Sequence, residues 1–292
     1  MRHYTRFRAY QLGECGASFS FSVNDHFTLL EARYNDVNKP HIKWELANSY
    51  QDRIDVLHIT SWDQDHCKAA ELCSLLSDLK PRLIEYPAYE HDSDNAREAR
   101  RMIQLYREGT KWEITPKVVK ESPKVRLQGQ DVFYNSLYQY IGSSNNRSIV
   151  KFFRCGSFTV LSLGDCEGED IRNRLMADEI LQNEVDVLIL AHHGANNGFT
   201  TTEFLRTIKP KVAICASDYG NQYGHPDPVI LSRLAACGIP YFSTKTGDVI
   251  AQYSDKYHFV VSNYGANNTE LVRRKIYENK TWFVNEDEPY IR

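Results

Sequence analysis

Four apolar, β-branched runs each end on a cluster of aspartate and histidine, and no other feature restricts the possible folds so tightly. Ile54–Thr60 leads into Ser61-Trp62-Asp63-Gln64-Asp65-His66, and Phe158–Leu163 leads into Gly164-Asp165. Val185–Leu190 leads into Ala191-His192-His193-Gly194, and Lys211–Ala216 leads, through a longer turn, into Gly224-His225-Pro226-Asp227. Read as strands, these runs place chemistry where open α/β sheets collect it: at the carboxyl ends, where loops project side chains into one crevice. The fold is therefore expected to align the four ends.

The rest of the chain repeats this grammar. Strands are predicted at Phe7–Leu12, Ser18–Val23, Phe27–Ala32, Ser148–Arg154, Pro240–Ser243, Asp248–Tyr253 and His258–Val261. Ala69, Ala70, Leu72, Leu75, Leu76 and Leu79 recur at helical spacing, which predicts an amphipathic helix over Cys67–Lys80. Further helices are predicted at Asn95–Glu108, Glu169–Leu181, Thr201–Ile208 and Pro228–Ala236. Strand-rich stretches followed by strand–helix alternation predict sheets covered by helices on their outer faces. No Gly/Ser or Pro tract divides the 292 residues, so one domain of two similar halves is expected over 1–292. Lys111–Tyr140 is poorly periodic.

Charge is uneven. The formal net charge is −3, yet Arg97–Arg126 holds nine basic residues against four acidic ones. Such a strip can meet phosphates, although a solvated helix face followed by a loop is the favoured reading of the same residues. Met1 to Gly13 has no apolar signal-peptide core, and no apolar run approaches the roughly 20 residues a membrane span needs. Seven cysteines without a CxxC pair read as reduced thiols, so a soluble, cytoplasmic protein that does not engage membranes is expected.

Asp and His are the ligand types that Zn²⁺ or Mn²⁺ accept while leaving a position for water. Two carboxylates and a histidine within four residues repel and desolvate one another badly unless a cation joins them. Taken singly, each cluster has a plainer reading. Asp63-Gln64-Asp65-His66 can be a helix cap, Gly164-Asp165 and Gly224-His225-Pro226 can be turns, and His192-His193 can be one buried and one exposed ring. Their common position at strand ends favours the joint reading. Gly-x-Gly-x-x-Gly, Walker and Gly-x-Ser-x-Gly signatures are absent from the sequence.

These motifs resemble those of the metallo-β-lactamase superfamily, and within it the soluble hydrolase domain of the DNA-uptake protein ComEC and its stand-alone relatives. Tyr10-Gln11-Leu12-Gly13-Glu14-Cys15-Gly16-Ala17-Ser18 is similar to that family's opening Asp-Val-Gly-Gln-Gly-Asp-Ser, and Thr60 to His66 to its Thr-His-Pro-Asp-x-Asp-His. Asn145-Asn146-Arg147-Ser148 resembles its Asn-Asn-x-Ser, Leu163-Gly164-Asp165 its Thr-Gly-Asp, and His192-His193-Gly194 and Tyr223-Gly224-His225-Pro226 complete the series. The resemblance implies an αββα sandwich of two mixed sheets with outer helices, about 87–140 being a family-variable insertion that carries the basic helix. It implies one or two Zn²⁺ or Mn²⁺ ions and hydrolysis of phosphodiesters by hydroxide on the metal.

By the same resemblance, Asp65, His66, Asp165 and His193 hold a metal, and Asp63 helps to bind a second one. Asp65, His192 and His225 are expected to be catalytic, the two histidines touching the scissile phosphate or protonating the leaving oxygen. Asn146, Ser148, Arg97, Arg100 and Arg101 are expected to meet the substrate. If the third strand runs to Ala191, alternation turns His192 and His193 to opposite sides, so only one coordinates. The chain departs from the family pattern at Ser61, which stands where the family has its first histidine, and at Trp62, which replaces a proline. Three functions stay open: a nuclease acting on nucleic acid, a hydrolase of smaller phosphodiesters or esters, and a degenerate site that binds without turnover.

Overall fold

Phenylalanines decide the interior. Phe7, Phe19, Phe21, Phe153 and Phe158 sit with Val160, Val187 and Ile214 in one buried cluster, drawn from the facing sides of two sheets. In the computed structural model, residues 5–87, 89–109, 143–265 and 268–281 are described, together with the backbone of 117–119 and 130–134.

The first sheet contains β1 (Thr5–Ala9), β2 (Phe19–Val23), β3 (His26–Leu30), β4 (Val56–His58), β5 (Leu83–Pro87) and β6 (Lys117–Val119). It is completed by β13 (Val249–Asp255), β14 (His258–Tyr264) and β15 (Leu271–Glu278), in the order β15-β14-β13-β1-β2-β3-β4-β5-β6. It is antiparallel from β15 to β3 and parallel from β3 to β6. The second sheet contains β7 (Gln130–Tyr134), β8 (Val150–Cys155), β9 (Phe158–Ser162), β10 (Val187–Ile189), β11 (Val212–Cys215) and β12 (Tyr241–Ser243), in the order β12-β11-β10-β9-β8-β7. Strands β9 to β12 run parallel.

Helices cover both outer faces. On the first sheet, α1 (Lys39–Asn48), α2 (Ala69–Leu79) and α3 (Asp94–Gly109) bury Ile42, Leu72, Leu75, Ala99 and Ile103 with Leu29, Leu57 and Ile59. On the second, α4 (Glu169–Met176), α5 (Glu179–Glu184), α6 (Thr202–Ile208) and α7 (Pro228–Ala236) bury Ile171, Leu181, Phe204 and Ile230 with Leu161, Leu188 and Ala213. This is the expected two-sheet sandwich with outer helices.

Several elements differ from the sequence expectation. The helix predicted over Glu169–Leu181 is two helices, because Asp178 caps the second by accepting hydrogen bonds from Ile180 N and Leu181 N. Helix α1 was not predicted: Ile42 and Leu46 are buried, but Glu45 shares their face, taken up by Arg6 and Arg8. Strand β15 was not predicted either, since six of its first residues are exposed at the sheet edge and show no alternation. The basic helix falls at α3, within the 87–140 segment expected to be an insertion. Residues 88, 110–116, 120–129 and 135–140 of that segment, with the basic side chains beyond Arg107, lie outside the described residues. All seven cysteines are free, Cys67, Cys155, Cys166 and Cys215 as buried residues. Among the described residues, no helix is long and apolar enough to cross a membrane.

Candidate metal centre

The parallel strands of both sheets deliver their carboxyl ends to one edge of the sandwich. Strand β4 ends before Thr60, β9 before Asp165, β10 before the His192–His193 turn and β11 before Ser217. Backbone hydrogen bonds tie these loops together: Ile149 N to Thr60 O (3.2 Å), Ala17 N to Asp65 O (2.9 Å), Ala32 N to His66 O (2.7 Å), His192 N to Gly164 O (2.9 Å) and Asp227 N to Gly194 O (3.0 Å).

Asp65, His66, Asp165 and His193 converge there, each offering one ligand atom, and the four atoms lie within 4.8 Å of one another. His66 Nε2 is 2.9 Å from Asp165 Oδ2, and His193 Nε2 is 3.3 Å from Asp65 Oδ2 and 3.9 Å from Asp165 Oδ1. His66 and Asp165 are almost completely buried. Three of the buried atoms, His66 Nε2, His193 Nε2 and Asp165 Oδ1, have no hydrogen-bond partner. Orphaned buried polar atoms are rare and costly. Three of them aimed at one point, with two carboxylates in the set, match the donor chemistry of a divalent cation.

Hydrogen bonds behind the rings set their tautomers. His193 Nδ1 lies 2.8 Å from Ala216 O, which only accepts, so the neutral ring keeps its proton there and turns the Nε2 lone pair to the cluster. His66 Nδ1 is hydrogen-bonded to Thr60 Oγ1 (3.4 Å) and faces Glu31 Oε1 in an ion pair at 3.1 Å, with the same consequence. Glu31 is fixed in turn by Thr60 N (3.0 Å) and Thr60 Oγ1 (2.6 Å). Burial works against charge on both rings, but Asp165, Glu31 and Asp65 outweigh it at His66 and raise its pKa well above the usual imidazole value. At His193 burial is likewise outweighed, by Asp65 and Asp165, and the pKa is raised. Burial alone would raise Asp65 and Asp165, yet the His66 and His193 charges hold both below the ordinary carboxylate range.

His192 does not join this set. Strand β10 stops at Ile189, and both histidines lie in a tight 3₁₀ turn with φ +47° and +52°. It is this left-handed turn, rather than strand alternation, that separates the rings. Such a conformation costs on the order of 1–3 kcal/mol per non-glycine residue. Cys215 Sγ, donating to His193 O at 3.0 Å, helps to hold it. His192 Nδ1 meets Glu167 Oε1 at 2.7 Å, and its ring centroid is 6.0 Å from that of His225. His225 is shifted down by burial and by the neighbouring His192 and His193, and its Nδ1 is buried without a partner. Asp65, His192, His193 and His225 line a cleft of about 160 Å³ together with Cys15, Gly16, Ala216, Ser217, Asp218, Asn221 and Tyr223.

Other expected residues lie elsewhere. Asp63 is held by Ser61 Oγ (3.0 Å) and His91 Nε2 (3.2 Å) and does not join the four-ligand cluster. Ser61 also contacts Tyr89 OH at 3.2 Å. Asn146 Oδ1 accepts from Glu167 N (2.8 Å) and Gly168 N (2.6 Å), which fixes the loop that carries Glu167. Ser148 is buried against Gly164, its Oγ without a partner. On α3, Arg97 pairs with Asp94, Arg100 with Glu90 and Arg101 with Glu98. None of Asn146, Ser148, Arg97, Arg100 and Arg101 lines the cleft. His58, buried at the end of β4, is engaged by Glu85 (2.9 Å).

Sequence reasoning missed Glu31, Glu167, Tyr89 and His91. Glu31 had a usable signal, since it follows β3 just as the other acids follow their strands. Gly194, at φ +81°, has no room for a side chain: a Cβ would stand 2.7 Å from Pro226 Cβ. Gly194→Ala is expected to cost about 1–3 kcal/mol and to weaken metal uptake by displacing His193. Thermal melts of the metal-free protein and a metal titration check this, and unchanged values in both would refute it.

Known proteins share this architecture. The crystal structure of a metal-dependent hydrolase of the β-lactamase superfamily superposes with a TM-score of 0.50 at 12% identity, over 86% of this chain and 100% of that one. A mutant of CmlA β-hydroxylase superposes with a TM-score of 0.51 at 12% identity, over 87% of this chain and 54% of that one. Competence protein ComA of Neisseria gonorrhoeae is 38% identical over 58 residues, which are 20% of this chain and only 8% of ComA. No family model matches the chain. The chain has the metallo-β-lactamase fold.

Proposed function

We propose that the protein is a metal-dependent hydrolase of phosphodiester bonds, a nuclease, with one Zn²⁺ or Mn²⁺ held by Asp65, His66, Asp165 and His193. The convergence of three orphaned buried atoms on one point beneath an open cleft carries this reading. The fold is shared with a β-hydroxylase and does not fix the reaction; the donor set of the site and the cleft beside it are what support the hydrolytic reading. The fold is also that of a metal-dependent hydrolase of the β-lactamase superfamily, and a 58-residue stretch matches a competence protein; both are compatible with this reading. A single ion is favoured because Asp63, the ligand expected for a second, is already engaged by Ser61 and His91.

A divalent cation at this place supplies positive charge for a phosphoryl oxygen and lowers the pKa of water toward about 7. The chain's own residues do the rest. Glu31 and Ala216 O fix the His66 and His193 tautomers, so the ligand lone pairs need no reorganisation. Glu167 faces Nδ1 of His192 and orients the ring, whose imidazolium form would give the second proton, on Nε2, to the leaving oxygen and return to the neutral Nδ1–H form. His225, kept neutral by its surroundings, stands beside it as a hydrogen-bonding group for the substrate.

The test is turnover of bis(p-nitrophenyl) phosphate and of DNA and RNA with Mn²⁺ or Zn²⁺, repeated with a chelator. Hydrolysis that needs the metal is expected. Glu167→Gln should lower kcat roughly 10- to 100-fold while leaving the metal content at one ion. A metal-loaded wild type that cleaves none of these substrates would overturn the proposal.

A further inference from the structure

One wall of the cleft is made by a loop whose Tyr223 lines it and whose Tyr219, outside the lining, is also displayed to solvent. Tyr219 is 71% exposed and Tyr223 is 66% exposed. Exposure alone decides nothing, since Tyr50 is more exposed still, just past the end of α1. What separates the loop tyrosines is their support. The Tyr223 ring stacks on the His225 ring at 5.7 Å with an interplanar angle of 17°, so one face is backed and the other is open. Lys245 Nζ lies 6.0 Å from the Tyr219 ring centre.

The loop is fixed from within. Asn221 Oδ1 accepts from His225 N (2.7 Å), and its Nδ2 donates to Asp218 O (2.5 Å) and His225 O (3.0 Å). Thr244 Oγ1 accepts from Ser217 N and donates to Ser217 O, both at 2.9 Å, which anchors the start of the loop. One side chain thus ties together the residues flanking both tyrosines, so the rings are held out and do not fold back onto the apolar core. An aromatic ring with one backed face and one open face, beside a phosphodiester site, is built to stack on a planar group.

We propose that Tyr223 and Tyr219 form a stacking platform for unpaired bases, which makes single-stranded nucleic acid the preferred substrate of this cleft. The inference rests on the phosphodiesterase reading for the cleavage step, but binding itself needs no turnover. In a duplex, both faces of each internal base are already occupied by neighbouring pairs, so only unpaired bases can use the rings. Every base has such a face, so the platform selects strandedness rather than sequence. Lys245 beside Tyr219 supplies a cation for the adjoining backbone phosphate.

The experiment measures binding of fluorescein-labelled oligo(dT), its duplex with oligo(dA), and an abasic strand of the same length, by anisotropy in EDTA. Oligo(dT) is expected to bind at least about tenfold tighter than either competitor. Tyr223→Ala should lose about tenfold in affinity for oligo(dT) and nothing for the abasic strand. Tyr223→Phe and Tyr223→Trp should bind like wild type, which excludes a folding defect as the cause. Photocrosslinking of a 5-iodouracil strand should map to Tyr219 or Tyr223. Equal binding of the three nucleic acids, or an alanine variant that binds oligo(dT) like wild type, would overturn the platform. If the platform fails while bis(p-nitrophenyl) phosphate is still cleaved with metal, the hydrolase reading stands; if no substrate is cleaved while the binding preference holds, only that reading falls.

Discussion

Asp165→Ala is expected to lose the bound metal and all metal-dependent turnover while remaining folded. Asp165 supplies both a carboxylate 2.9 Å from His66 Nε2 and an orphaned Oδ1 that faces the same point. Removing even an outer partner of a metal ligand weakens binding by about 10- to 100-fold, so removing a ligand should cost at least about a hundredfold. Elemental analysis of the purified protein should give about one Zn or Mn per wild-type chain and background in the variant. A second effect comes from burial. Without Asp165, His66 loses its nearest anion and keeps Glu31 and the more distant Asp65, so the metal-free variant should be less stable by about 3 kcal/mol. Asp165→Asn keeps the shape and separates the two effects, since it should lose the metal with a smaller fall in melting temperature. Full metal occupancy and full activity in a folded Asp165→Ala protein would remove the proposed centre.

How much of this could be read in advance depended on which physical rule each residue obeys. The clusters that hold Asp65, His66, Asp165 and His193 were visible because metal chemistry admits few residue types and because all four follow strands, whose hydrophobic runs are themselves legible; which of their members coordinate came from the family resemblance. The supporting shell was less so. Glu31 reaches His66 through the parallel pairing of β3 with β4, a long-range contact that leaves no local periodicity. His91 and Tyr89 come from the segment between β5 and α3, where no hydrophobic repeat marks their approach to Asp63 and Ser61. Helix α1 was hidden because a buried Glu45 breaks its apolar face. Edge strand β15 was hidden because exposure on both faces erases alternation. The separation of His192 from His193 was anticipated, but from strand geometry. The observed cause is a pair of left-handed residues, which no pattern of side-chain types announces.

The same buried histidines predict how metal stabilisation should vary with pH. In the metal-free protein, both His66 and His193 have pKa values raised above the usual 6.5, because the surrounding carboxylates outweigh burial. A group raised in the folded state adds stability that is fully present below its unfolded value and is lost as pH climbs through the folded one. Asp65 and Asp165 are shifted down, so their contribution is already complete well below neutrality and does not change over this range. The metal-free protein should therefore lose stability as pH rises from about 6 toward 8 and beyond. Metal binding requires the same two nitrogens to be deprotonated, so it releases up to two protons and tightens about 10- to 100-fold per pH unit until both rings are neutral. Each tenfold adds about 1.4 kcal/mol to the metal-bound form at fixed free metal. The gap in melting temperature between metal-buffered and chelated protein should widen by several degrees from pH 6 to pH 8. His193→Gln, which removes one titrating ligand, should flatten that slope. A gap that stays constant or narrows over this interval would mean that the metal does not displace protons from His66 and His193, and the centre would have to be sought elsewhere in the fold.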